Sequence, residues 1–420
     1  MASGMPVAFC FMLINVAGVY LLFGGVAGLE QLILSIYSSL ATFILEPIPL
    51  FILMGEVMFH SGLGANVVNT LDKWMGRVPG RLALISVAAG TILATLTGVS
   101  IASTALLGSL LIPEMEKRGY KKDMTMGPIM GSGGLAIMIP PSALAVFLGA
   151  IGEISIGKLL IAIIVPGLLM ASLYAAYILI RCSLQPSIAP TYEVPPTPLS
   201  EKLAATVRHV FPIGFIIFLV IGVIILGIAT PSEGAATGTL GVFIMAFLQK
   251  RLNWEVVKKS TYGTLMTTGM IFLIIAFAKA FSQILSFTGA TQGMSQFAIG
   301  LPVSPLLIFI GMQVIILILG CFINVDAIIL LTIPIFMPIV SVLNFDRVWF
   351  GTIALINLEM ALITPPFGLC LFVMKGVAPP GTAMTDVYKA ATPFIVLQIL
   401  AMAIIMFFPP IALWLPGLMG

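Results

Sequence analysis

A chain of 420 residues, 60% hydrophobic and only 8% charged, with a mean hydropathy of +1.17, lies far from the composition of a soluble globular domain. The formal net charge of +3 is dispersed over short polar segments, which excludes the concentrated basic face of a nucleic-acid binder. Four scattered cysteines and two histidines exclude a disulfide framework and a structural zinc site. Long apolar runs likewise exclude the alternating strands of an outer-membrane barrel. What remains is an all-α polytopic membrane protein, with a lipid bilayer around about a dozen passes of ~20 residues each and no soluble domain.

Residues 5–28 and about 32–60 are predicted as two spans, the second interrupted at Glu46-Pro47. The first lacks a basic region and a cleavage site, so it is expected to stay as a membrane helix. The stretch from Leu63 to Met75 is amphipathic and ends among Lys73, Arg77 and Arg81, which suits a helix on the cytoplasmic surface. The apolar run that follows carries basic clusters on both flanks. A re-entrant hairpin over about 82–113 keeps both ends in the cytoplasm, with its tip near Thr97–Ser103 at membrane depth. Next comes a segment from Gly127 to Ser142 with four glycines and Pro140-Pro141. A continuous helix cannot be sustained there, so a broken helix is expected over about 125–150. Residues 159–181 return across the membrane.

Residues 183–209 are polar and rich in proline, the composition of a cytoplasmic linker. An extra connecting span over 210–229 follows, and then the pattern restarts. Spans at 233–249 and 262–285, an uncharged loop to 302, a second hairpin over about 303–343 and a second broken helix over about 348–372 precede a final span at 391–415. The second break contains Pro365-Pro366, 225 positions after the first proline pair. The same offset pairs Pro6 with Pro231, Gly64 with Gly289 and Pro113 with Pro338. Counting crossings, the second copy begins on the opposite side of the membrane. Residues 1–182 and 230–420 therefore read as two inverted-topology repeats, each with a re-entrant hairpin and a broken transmembrane helix.

An opened helix exposes carbonyls at one half-helix end and N–H groups at the other. Carbonyls with hydroxyl or amide oxygens suit Na⁺, and N-terminal ends suit an anion. On this logic Thr97, Gly98 and Ser100 at the first hairpin tip face Gly133, Gly134, Met138 and Pro140 in the first break. The second set is Gly320, Asn324 and Asp326 against Glu359, Leu362, Thr364 and Pro365. Ser132 and Asn357 are candidate substrate contacts. Small residues in membrane helices also serve plain close packing, and Ser or Thr often bonds its own backbone. A carboxylate at membrane depth, by contrast, marks an ion or substrate path by default, which singles out Asp326 and Glu359.

Four ordered motifs carry a family resemblance across essentially the whole chain. They are Leu111-Ile-Pro-Glu-Met-Glu-Lys-Arg-Gly-Tyr120, Gly131-Ser-Gly-Gly134 with Ile139-Pro-Pro-Ser142, Asp326 with Ile333-Pro-Ile-Phe-Met-Pro338, and Asn357-Leu-Glu359 with Leu362-Ile-Thr-Pro-Pro-Phe-Gly368. They resemble the large membrane subunit of tripartite ATP-independent periplasmic (TRAP) transporters. The resemblance implies a bacterial inner-membrane subunit working with a separate small four-helix membrane subunit and a soluble periplasmic substrate-binding protein. It implies Na⁺-driven import of an organic acid anion by an elevator motion, with Na⁺ as coupling ion at the hairpin and break positions named above, mostly through backbone carbonyls. A one-component Na⁺/dicarboxylate symporter of related architecture and a channel remain rival readings. An intramembrane enzyme would need a catalytic set such as His-Glu-x-x-His, and the sequence has none.

Overall fold

Glycines, prolines and capping side chains cut this apolar sequence into helices, and the computed structural model describes residues 7–97, 100–192 and 197–419 of them. Every regular element among the described residues is helical. Gly24 and Gly25, both at positive φ, separate α1 (Val7–Leu22) from α2 (Val26–Leu40). Pro47 occupies the first turn of α3 (Pro47–His60), where its missing N–H costs nothing. The amphipathic α4 (Leu63–Trp74) follows. Next, α5 (Arg81–Thr97) and α6 (Ser100–Lys117) form a hairpin, and α7 (Lys122–Gly134) and α8 (Ala143–Gly152) are two halves of a broken helix. The chain returns through α9 (Ile156–Ala162) and α10 (Ile164–Leu184).

The proline-rich connection is strapped to the base of that hairpin. Ile188 and Ala189 are buried, and the Lys121 N–H donates to the Ile188 carbonyl at 2.9 Å. The Tyr192 ring lies between two guanidinium groups, 5.4 Å from Arg81 and 4.0 Å from Arg118. Arg81 also donates to the Tyr192 hydroxyl at 3.1 Å and pairs with Asp72 at 2.9 Å, joining α4 to α5. Nearby, the Tyr120 hydroxyl accepts from the Leu82 N–H, and burial pushes that phenol up to about 12. The extra span starts earlier than the sequence predicts. Helix α11 (Leu199–Ile225) begins at the residue after Pro198, inside the expected linker, because the run of prolines ends there.

A capping box of Thr230 and Glu233 opens α12 (Pro231–Leu248), and the Asn253 side chain caps α13 (Trp254–Phe287). The segment expected as an uncharged loop contains α14 (Ala290–Gly300). Its sequence lacks charge and strong periodicity, but Gly289 in the left-handed region starts it and Ser295 and Ala298 bury one face. The remaining helices are α15 (Pro305–Gly320), α16 (Val325–Val342), α17 (Arg347–Ile363), α18 (Leu369–Val377) and α19 (Met384–Phe407). Both ends of α6 and α16 lie 225 positions apart, as do the starts of α7 and α17. The Pro140–Pro141 and Pro365–Pro366 bonds are both cis.

Two bodies result. Helices α1, α2, α3, α12 and α13 pack on one another, while α5, α7 and α17 pack on α10 or α19 and the second hairpin, α15 and α16, packs on α17 and α8. In the second body Gly127 and Gly131 let α19 approach α7 closely, since a Cβ on Gly131 would lie 2.5 Å from the Phe394 ring. Tyr174 and Tyr177 pack edge-on against the same ring. Among the described residues six helices are long and apolar enough to cross a membrane, and α1, α2 and α11 expose large apolar side chains such as Leu21, Leu34 and Phe211. The protein is a multi-pass membrane protein.

Candidate functional site

Each hairpin turns back beside the gap in its broken helix. At the first tip Ser100, the first residue of α6, is buried and donates to the Gly134 carbonyl at the end of α7, at 3.4 Å. At the second tip the Asn324 side chain caps α16 by accepting from the Ala327 N–H at 3.2 Å, and Asp326 sits in the first turn of that helix.

A cavity of 280 Å³ lies between the tips. Its wall includes Ser100, Ala143, Val325 and Leu369, the first residues of α6, α8, α16 and α18. Four helix N-termini therefore converge on one space, each carrying roughly half a positive charge from aligned peptide dipoles and unsatisfied N–H groups. Asp326 also lines it, and among the described residues no lysine, arginine or histidine does. Ile52 of α3 and Thr267, Met270 and Ile271 of α13 close the far side, so the cavity lies between the two bodies. A second cavity of 240 Å³ adjoins it between the second tip and the second break, with Asn324, Val325, Leu362 and Leu369 in its wall.

The sequence-predicted ligands divide into groups. Asp326 and Leu362 line the main cavity with Ser100, and Asn324 lines the second. Gly133, Gly134, Met138 and Pro140 are all buried at the first break, where the Gly133 and Gly134 carbonyls accept from the N–H groups of Ala136 and Ile137. The Met138 carbonyl approaches so closely that a Cβ on Gly167 would lie 2.5 Å from it. Gly98 lies outside the described residues, and of Thr97 only its place at the end of α5 is described. The Thr364 hydroxyl donates to its own helix at the Met360 carbonyl, 2.6 Å away, beside a partly exposed Pro365. Gly320 serves a close approach, as its Cβ would lie 2.6 Å from that of Ala361.

Ser132, Asn357 and Glu359 are also absent from both cavity walls. Ser132 is buried over Gly90 and donates to the Ile129 carbonyl at 3.4 Å. Asn357 ties α17 to α15 by donating to the Gln313 carbonyl at 2.7 Å and to its side-chain oxygen at 3.1 Å. Glu359 is fully buried, accepts from the Gln398 amide at 3.1 Å, and packs on Gly134. The cavity residues missed in the sequence are apolar except one: Ile101, Ile137, Leu144 and Phe147 join the four from α3 and α13. Thr267 alone has a polar group, and nothing in its local sequence separates it from other helix threonines.

The sequence matches, over residues 1–411, the family described as "Tripartite ATP-independent periplasmic transporter, DctM component". A relative from Pseudomonas aeruginosa, the C4-dicarboxylate TRAP transporter large permease protein DctM, is 31% identical over 394 residues, covering 93% of this chain and 90% of the relative. The ectoine TRAP transporter large permease protein TeaC of Halomonas elongata is 29% identical, over 99% of this chain and 96% of its own. In fold the chain is similar to the Alcanivorax borkumensis YdaH transporter, with a TM-score of 0.72 at 12% identity over 96% of this chain and 99% of that one.

Proposed function

The chain belongs to the DctM component family of tripartite ATP-independent periplasmic transporters, and from that premise we propose that it imports a small organic acid anion coupled to Na⁺ entry. It is a multi-pass inner-membrane transporter subunit, not an enzyme. The observation that carries the reading is the convergence of four helix N-termini on a cavity with no cationic side chain among its described lining residues. Backbone dipoles then bind the anion, and no lysine or arginine holds it so tightly that release is slowed.

Sodium is assigned to the two tip-and-break pairs. At the first, the candidate ligands are Thr97, Gly98, Ser100, Gly133, Gly134, Met138 and Pro140, of which Ser100 meets the Gly134 carbonyl at the end of α7. At the second, Gly320, Asn324, Asp326, Leu362, Thr364 and Pro365 surround the corresponding space. Cation binding there supports substrate binding by holding each tip against its break and by adding positive charge next to the anion. The bodies exchange access by an elevator motion, in which hairpins and broken helices slide against α1–α3, α12 and α13. Residues 1–182 and 230–420 act as inverted repeats joined by the strapped linker and α11. A small four-helix membrane subunit and a soluble periplasmic binding protein complete the system, and the binding protein delivers the substrate.

The test is uptake into proteoliposomes holding this chain and its small subunit, with the binding protein and labelled organic acids outside. Uptake requiring both an inward Na⁺ gradient and the binding protein supports the reading. Uptake indifferent to the binding protein points to a one-component symporter, and rapid equilibration without Na⁺ rejects coupling and favours a channel.

A further inference from the structure

Gly134 and Glu359 stand 225 positions apart, so they are counterparts in the two halves, and they touch. A residue that meets its own counterpart lies where a two-fold relation between repeats passes through the protein. Identical side chains there either leave a hole or collide. This chain has one glycine and one glutamate: a Cβ on Gly134 would lie 2.8 Å from Glu359 Oε1 and 3.0 Å from its Cγ. The Glu359 side chain thus fills the volume that Gly134 leaves empty.

Glu359 cannot swing away. It is fully buried, Gln398 of α19 donates to its Oε1 at 3.1 Å, and the Tyr174 hydroxyl of α10 stands beside the carboxylate. On the other side of the contact, the Gly134 carbonyl accepts from Ser100 at the first hairpin tip. The chain of contacts therefore runs from Gln398 through Glu359 and Gly134 to Ser100, from the second half of the sequence to the ion-facing tip of the first.

We infer that Glu359 is a positioning residue, a brace from the second repeat that sets where the Gly134 carbonyl meets the first hairpin tip. It acts through shape and its Gln398 contact and does not itself coordinate the ion. This rests on the sodium-coupled reading above. In the transport cycle the brace lets occupancy at the first tip depend on the position of α17 and α19.

The experiment is a double-mutant cycle in the reconstituted complex, read as the Na⁺ concentration for half-maximal uptake and, separately, as thermal unfolding in detergent without Na⁺. Gly134→Ala and Glu359→Ala each raise the half-saturating Na⁺ concentration by about tenfold, and the double variant stays within about threefold of Glu359→Ala, because the added methyl enters the vacated space. Glu359→Gln, which keeps the shape and the Gln398 contact, stays within about twofold of the unaltered chain. If Gly134→Ala alone does not fold, recovery of folding in the double variant supports the brace only together with a half-saturating Na⁺ concentration within about threefold of Glu359→Ala. Multiplicative losses of about a hundredfold, or no recovery of folding, overturn it. A shift of about tenfold in Glu359→Gln overturns positioning in favour of direct ion coordination. Coupling seen in thermal unfolding but absent from the Na⁺ dependence reduces the contact to packing and overturns the role. Sodium-indifferent uptake by the unaltered chain overturns the coupled reading itself, and the unfolding cycle still reports whether the brace exists.

Discussion

The two hairpin-and-break units share helix register but not surroundings. In the first, residues 135 to 143 are buried without exception, and the tip carries Ser100 and Ile101. In the second, exposure rises through the break from a buried Ile363 to Phe367 at 56%, and the tip carries Val325 and Asp326. The glycine that closes α7 has a glutamate as its counterpart in α17. One backbone plan is used twice, once as enclosed dipoles and carbonyls and once with a carboxylate, Asp326, on the cavity wall and a more exposed break. The first unit is suited to holding a ligand by backbone alone, the second to admitting and releasing one.

The largest effect expected from breaking this difference is at Asp326. It is the one acidic side chain lining the main cavity among the described residues, and its counterpart is Ile101. Asp326→Asn removes the charge without changing shape. Losing about 3 kcal/mol of cation binding at a desolvated site lowers Na⁺-driven uptake about a hundredfold at sub-saturating Na⁺. Uptake that falls in Ile101→Asn but survives in Asp326→Asn would reverse the roles given to the two tips.

The contrast in exposure gives the next largest effect. With the four native cysteines replaced, Phe367→Cys is expected to react with a membrane-impermeant thiol reagent at least about tenfold faster than Met138→Cys, because the latter is reached only when the protein opens locally. Sodium and substrate should slow labelling at position 367 if they close the second unit. Equal rates at both positions would mean that the two breaks are equally open in the membrane.

Much of the fold was legible because its signals are local. Proline pairs and glycines lie where α7 and α17 end, and the 225-residue spacing of Pro113 and Pro338 reappears in the matched ends of α6 and α16. Helix α14 was not legible, since an uncharged polar stretch without strong periodicity looks like a loop until its partners are known. Ser132 and Asn357 look like substrate contacts in sequence, yet the Ser132 hydroxyl bonds its own helix and the Asn357 amide ties α17 to α15. The partners of Glu359 come from α10 and α19, far away in the chain, and no local pattern announces them. The cavity wall from α3 and α13 is equally silent, because apolar residues facing a ligand look like apolar residues facing lipid.

A smaller effect sharpens the comparison at the first tip. Ser100→Ala removes one hydrogen bond to the Gly134 carbonyl, worth about 1 kcal/mol, and should raise the half-saturating Na⁺ concentration about fivefold. The second tip has no equivalent cross-contact at Val325, so Val325→Ala should leave that concentration within about twofold and act on substrate affinity instead. If both variants change Na⁺ dependence alike, the tips are not specialised.

The smallest effect lies far from the cavity, where the two broken helices are anchored. Trp349 near the start of α17 stacks on Phe309 at 4.4 Å and donates its indole N–H to the Ile405 carbonyl at 3.0 Å, inside the protein. Its counterpart in α7 is Met124, a buried side chain with no such donor. Trp349→Phe keeps a ring for Phe309 but orphans the Ile405 carbonyl, which costs about 1 to 3 kcal/mol in thermal stability. Met124→Leu, a volume-conserving change in an adaptable site, should cost less than about 1.5 kcal/mol. A firmer anchor on the helix whose break is exposed is what an opening unit requires: the part that moves can be loose only if the helix carrying it is fixed at its other end. Equal losses from the two substitutions would remove that reason for the asymmetry, while leaving the chemistry of the tips untouched.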